Sequence, residues 1–262
     1  GIVYALDAAD GTERWRATVG DGTAGGGATG SPAVVGDTVY VAGESGLLLA
    51  LDAQTGAERW RFEKEGLGIA FSPAVADGVV YVPLADGTLY ALDAGSGAEQ
   101  WSFNPVIEAA DVYSPTADPV VADGVVYLMT SGPNLIGELI AIDIATHEAR
   151  WRYETPTENY SAPSVAGELL IWGGLDGRIH ALNAADAQPA WTFPTSDIIF
   201  SAPAIAGEMA YVGSNDKYLY ALDTATGRMQ WQFRADSGVS SPTIADGIVY
   251  VGTEGGVLYA LQ

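Results

Sequence analysis

The chain has 262 residues, enough for one large core, and a formal net charge of −22, with 33 acidic residues against 11 basic ones. Such a surface repels phosphate backbones and anionic lipid, which argues against nucleic acid and membrane surfaces as partners and leaves metal ions or cationic peptides as the better ones. There is no cysteine, so disulfides, thiolate metal ligands and cysteine nucleophiles are excluded together, and no apolar run approaches the roughly 18 residues of a spanning helix.

In chain order, residues 2–7 and 14–19 predict two strands, closed by an Asp-containing turn. Residues 20–25 (GDGTAG) match a GxGxxG pattern, but Gly26, Gly27 and Gly30 with Pro32 lead into a strand. The helix N-terminus that would meet a pyrophosphate is missing, and the segment reads as a loop. The fullest unit spans 72–103. It predicts strand A at 72–76, strand B at 79–82, strand C at 89–93 and strand D at 100–103, with Asp77-Gly78 and Asp86-Gly87 as tight hairpin turns. Five such units are complete. The chain ends on strands A, B and C at 241–244, 248–252 and 257–261 without a fourth.

The phrase Tyr-Ala-Leu-Asp at 4–7 returns in related form at 49–52, 90–93, 140–143, 180–183, 220–223 and 259–262, at spacings of 45, 41, 50, 40, 40 and 39 residues. A period of about 40 residues built from short strands predicts an all-β β-propeller of four-stranded antiparallel blades. About six blades are expected, in a ring closed by pairing the two termini, with seven blades or part of an eight-bladed ring as alternatives. The expected organisation is a single domain over 1–262, a piece of a longer product because Gly1 falls in mid-repeat, and a monomer.

Loop lengths are uneven. The A-to-B and C-to-D offsets are constant at 8 and 10 residues in all six cases, whereas the D-to-A offset runs 17, 13, 18, 12, 12 and 11. The one long B-to-C connection, Tyr127 to Ala141, is 14 residues against 10 elsewhere. All length variation therefore falls on the face carrying the D–A and B–C loops, which is how a rigid scaffold presents a binding surface.

Within the C–D segment the pattern Ala-x-Asp-x-x-x-Gly-x-x-x-Trp sets Trp15, Trp60, Trp101, Trp151, Trp191 and Trp231 in register, with His147 and Ala187 replacing the glycine in two copies. The Asp closes the turn on backbone N–H groups, the Gly takes a left-handed conformation, and the indoles are expected to wedge between neighbouring blades. Arginines flanking Trp15, Trp60 and Trp151 sit on the outer strand, where charge blocks edge-to-edge pairing.

This element resembles the tryptophan-docking motif of pyrroloquinoline-quinone (PQQ) repeat propellers, and the resemblance covers the whole chain. The family includes quinoprotein dehydrogenases, the propeller lipoprotein of outer-membrane barrel assembly and sensor propellers on bacterial kinases. The resemblance implies a periplasmic or extracellular location. Members that are dehydrogenases stack PQQ against a disulfide of adjacent cysteines with calcium nearby. This chain has no cysteine and no large insertion, so the expectation is a non-catalytic branch without PQQ or calcium, with a quinoprotein dehydrogenase fragment as the alternative.

No residue pattern announces chemistry. His147 and His180 stand apart, and no Gly-x-Ser-x-Gly elbow occurs. The turns do not explain Glu108 and Asp111 in the longest D–A loop, Asn134 in the long B–C loop, or Asn159, Asn215, Asp216 and Lys217. Phe71, Tyr113, Tyr160 and Phe200 precede the A strands. Together these form the candidate face for a protein, peptide or small ligand, the alternative being that the aromatics plug the core. Trp172, where sister repeats carry Val or Leu, reads as core filling.

Overall fold

The computed structural model describes residues 1–20, 28–43, 46–64, 66–69, 71–106, 113–132 and 136–262. Of the GxGxxG segment, residues 21–25 lie outside that range. All described regular structure is β, and the chain divides into two compact units.

The first unit comprises residues 1–124 and 143–148. β1 (Ile2–Leu6) and β2 (Glu13–Thr18) form an antiparallel pair. β3 (Ala28–Val35), β4 (Thr38–Gly43), β5 (Leu47–Asp52) and β6 (Glu58–Glu63) form a four-stranded meander. So do β7 (Ala74–Ala76), β8 (Val79–Pro83), β9 (Leu89–Asp93) and β10 (Glu99–Phe103). The short strands β11 (Ser114–Pro115) and β12 (Val120–Ala122) complete it. Strand A of the 72–103 unit begins at Ala74, two residues later than expected, because Pro73 has no N–H to give to a ladder.

The second unit comprises residues 125–142 and 149–262. β13 (Val125–Ser131), β14 (Gly137–Asp143, its last residue counted with the first unit) and β15 (Ala149–Glu154) lie in one sheet. β16 (Ser164–Ala166), β17 (Leu169–Gly173), β18 (Arg178–Asn183) and β19 (Pro189–Pro194) form the next. They are followed by β20 (Ala204–Ala206), β21 (Met209–Gly213), β22 (Tyr218–Asp223) and β23 (Met229–Arg234). β24 (Thr243–Ala245), β25 (Ile248–Gly252) and β26 (Leu258–Leu261) make a three-stranded sheet.

Among the described residues, five sheets of four or more strands and two partial ones are roughly consistent with the expected count of about six blades. β2 pairs with β1 and β26 with β25, each inside its own sheet, because both ends bring their own C strand.

The turns hold as their chemistry requires. Asp77-Gly78, Asp123-Gly124 and Asp246-Gly247 have positive φ at both residues, the twist a two-residue hairpin needs. In the C–D turns the Asp93 carboxylate accepts from the N–H groups of Gly95 and Ser96, and Asp52 does the same for Gln54 and Thr55. Each strand D tryptophan lies opposite the small alanine of strand C, as Ala50 faces Trp60 and Ala221 faces Trp231. A register shift next to that alanine recurs in the C–D pairings and twists strand D locally. The core of each unit fills the space between successive sheets: Tyr40, Leu48, Trp60, Ile69, Val80 and Leu92 in the first, Ile171, Ile179, Ile199, Val212, Tyr220 and Leu222 in the second.

Candidate functional site

The repeated tryptophans are seated in the scaffold. The indole N–H of Trp15 donates to Ala53 O at 2.9 Å and that of Trp60 to Ala94 O at 2.9 Å. Trp151 donates to Ala184 O at 3.0 Å and Trp191 to Thr224 O at 2.8 Å. A Cβ at Gly56, Gly97 or Gly227 would lie within 2.5–2.7 Å of the ring below it, so glycine supplies both the positive φ and the clearance. Where His147 replaces that glycine it stacks on Trp101, centroids 4.8 Å apart. Trp231 packs on Tyr211 and remains 39% exposed.

The strand D arginines are neutralised locally. Arg14 pairs with Asp7 and Arg16 with Glu13, each at 2.6 Å, while Arg59 spans Asp37 and Asp52, both at 2.7 Å. The guanidinium beside Asp52, with the Thr55 hydroxyl, holds that carboxyl far below the usual carboxylate range. Glu138 behaves in the opposite way. Burial pushes its carboxyl up, and Arg152 at 3.1 Å only partly offsets this.

The expected face separates into residues that are presented and residues that are not. Glu108, Asp111 and Asn134 lie outside the described residues. Tyr113 is buried. Asn159 is 1% exposed, and its amide N–H₂ donates to Thr155 Oγ1 and Thr157 O, so it braces its own loop and presents nothing outward. Asp216 is likewise engaged, accepting from Tyr220 Oη at 2.7 Å and from the Ser196 and Tyr218 N–H groups. Lys217 is exposed in the left-handed position of the same turn, and Phe71 is half-buried.

Tyr160 and Phe200 are different. They are 46% and 48% exposed, with ring centroids 6.2 Å apart. Each precedes a serine that turns inward. Ser161 Oγ accepts from Gly173 N and donates to Ser201 O, while Ser201 Oγ accepts from Gly213 N and donates to Gly213 O. With the serines fixed inside, the preceding rings face out, and two neighbouring sheets of the second unit carry an aromatic shelf.

Phe200 also walls a groove of about 210 Å³, with Ser201, Asn215, Gly238, Val239, Ser240, Ser241 and Glu254. Every one of these residues comes from a D–A or B–C loop or its junction with a strand. Neither the Asn215 amide nor the Glu254 carboxylate has a side-chain partner among the described residues. Glu254 lies over Gly238, where a Cβ would come within 2.9 Å of its carboxylate. Sequence reasoning singled out Phe200 and Asn215 but missed Glu254. The repeat itself carries the missing signal: Glu254 stands two residues after Gly252, as Asn215 stands two after Gly213.

His180 replaces the strand C tyrosine of its sister repeats. It contacts Asp176 at 3.0 Å and stacks on Trp172, centroids 5.2 Å apart. Tyr220 with Asp216 repeats the same pairing in the next sheet, which makes the His180 contact a scaffold feature. Among the described residues no group of three or more His, Asp or Glu side chains is placed to hold a metal ion, and no helix is long and apolar enough to cross a membrane.

Among solved structures the chain is similar to BamB from Moraxella catarrhalis, with TM-score 0.63 and 19% identity over 99% of this chain and 90% of that one. It is similar to the computationally designed protein Ika8, with TM-score 0.80 and 18% identity over 96% of this chain and 74% of the other. It also resembles a quinohemoprotein alcohol dehydrogenase from Pseudomonas putida, with TM-score 0.67 and 21% identity, where it spans 42% of that chain. No curated protein sequence matches it. These likenesses carry the β-propeller fold. Residues 1–165 and 161–262 each match the profile described as outer membrane protein assembly factor BamB, and the chain accordingly belongs to that family of PQQ-repeat propellers.

Proposed function

We propose that this propeller is a non-catalytic scaffold that binds a protein or peptide outside the cytoplasm, through the face built by its D–A and B–C loops. The observation that carries this is the outward Tyr160–Phe200 pair beside a groove in which the Asn215 amide and the Glu254 carboxylate have no side-chain partner among the described residues. Rigid strands present both, and aromatic surface next to unsatisfied polar groups is the usual make-up of an interaction hot spot. The family's description as an assembly factor supports a protein partner.

A groove of about 210 Å³ falls below the roughly 300–1,000 Å³ of small-molecule pockets, so it suits one side chain of a larger partner better than a whole quinone. The likeness to a quinohemoprotein dehydrogenase keeps an enzyme as the second reading. Two measurements separate them. The chain mixed with PQQ and calcium should lose all quinone absorbance on gel filtration, and retained quinone would favour the enzyme. The double substitution Tyr160→Ser, Phe200→Ser should cost less than about 1 kcal/mol of stability, as surface changes do. A loss of several kcal/mol would mean that the two rings serve the core and not a partner.

A further inference from the structure

Resting on that reading of the loop face, we infer that the groove between Phe200, Asn215 and Glu254 is a receptor for a single arginine side chain of an extended partner segment, with an apolar neighbour in that segment lying on the Tyr160 ring. The chemistry of the walls selects this occupant. Phe200 offers a half-exposed ring face against which a planar guanidinium stacks. Glu254 is an exposed carboxylate without a cationic partner, and an arginine fork meets a carboxylate through two parallel N–H···O bonds. The Asn215 amide oxygen can accept one of the remaining guanidinium N–H groups, and Ser240 lies on the same wall.

The charges around the groove point the same way. Asp236 sits against the Gly255 end of the Glu254 turn, where a Cβ on Gly255 would lie 2.3 Å from its carboxylate, and Glu158 lies within 3.4 Å of the Tyr160 hydroxyl. Asp216 stands next to Asn215. Against these four carboxylates, Glu254 included, stand two cations, Lys217 in the neighbouring turn and Arg234 opposite Tyr218 on the paired strand. A chain of net charge −22 adds long-range attraction for a basic segment. A lysine would gain the charge but neither the stacking nor the paired bonds, so arginine is preferred.

The test uses three nine-residue peptides, identical except for Arg, Lys or Gln at the centre and with leucine on either side of it, titrated into the isotope-labelled chain at low salt. The Arg peptide should shift the backbone signals of Asn215, Ser240 and Glu254. It should bind several-fold more tightly than the Lys peptide and at least about tenfold more tightly than the Gln peptide, because the planar fork meets the Glu254 carboxylate and the Phe200 ring together. Glu254→Gln should remove that preference while leaving the other signals in place. Equal binding of the three peptides, or an Arg preference that survives Glu254→Gln, overturns the groove assignment but leaves the loop face as a protein-binding surface. A chain that ignores all three peptides and retains quinone on gel filtration overturns both.

Discussion

Three tryptophans show how position decides what a residue is worth. Trp172 is fully buried, flanked edge-on by Tyr153 and stacked on His180, yet its indole N–H has no hydrogen-bond partner among the described residues. Its ring is therefore favourable and its polar atom costly. Trp172→Phe should change stability by less than about 1.5 kcal/mol, as volume-conserving swaps do, while Trp172→Ala should cost about 3–5 kcal/mol. Trp101 is buried and stacked on His147, and Trp101→Ala should fall in the same range. Trp231, although identical in motif, is 39% exposed and should lose less than Trp101 on the same substitution. Thermal melts of the four variants check the order, and equal losses at Trp101 and Trp231 would remove burial as the cause.

The C–D hairpin depends on an ionised carboxylate. Asp52, Asp93 and Asp223 each accept turn hydrogen bonds, and Asp7, Asp37 and Asp52 also meet arginines. All are held below the usual carboxylate range, chiefly by the Arg59 guanidinium for Asp52 and by the Ser96 hydroxyl for Asp93. A carboxyl whose folded pKa is depressed stabilises the fold fully above its unfolded value, near 4, and that stability is lost as pH falls through the folded pKa. Glu138 has the opposite sign. Burial raises its folded pKa, so its contribution is fully present below the unfolded value and is lost as pH rises through the folded one. The depressed groups outnumber it, and stability should decline below about pH 4. Asp52→Asn should make that decline shallower by removing one titrating group. A decline unchanged by the substitution would mean that acid acts elsewhere.

Across the whole molecule the net charge of −22 is the largest electrostatic feature. The arginine pairs are solvent-exposed and contribute little each, whereas the excess carboxylates repel one another in the compact state. Raising sodium chloride from about 0.01 M to about 1 M shortens the Debye length from about 30 Å to about 3 Å. The melting temperature should rise over that range, because screened repulsion outweighs the weakened surface pairs. A fall in melting temperature with salt would mean that the pairs dominate.

Repetition made the fold legible. A mistake in one strand is corrected by five sister copies, and Asp-Gly turns, strand C alanines and register tryptophans are local devices that the sequence spells out residue by residue. The glycine beneath Trp60 follows from the same logic. The candidate site was only partly legible. Phe200 and Asn215 stand out as polar or aromatic departures near loops, but Tyr113 and Asn159 carry the same sequence signal and are buried. Which aromatic faces outward depends on whether the next serine hydrogen-bonds into the strand pair behind it, and that bond reaches across loops of variable length. Glu254 joins Phe200 and Asn215 only because successive sheets place four separate loops around one groove. Sequence alone determined the strands, the turns and the repeat, because those are set by contacts within about 40 residues. The tertiary structure decided burial and the walls of the groove, because each depends on which sheet packs beside which.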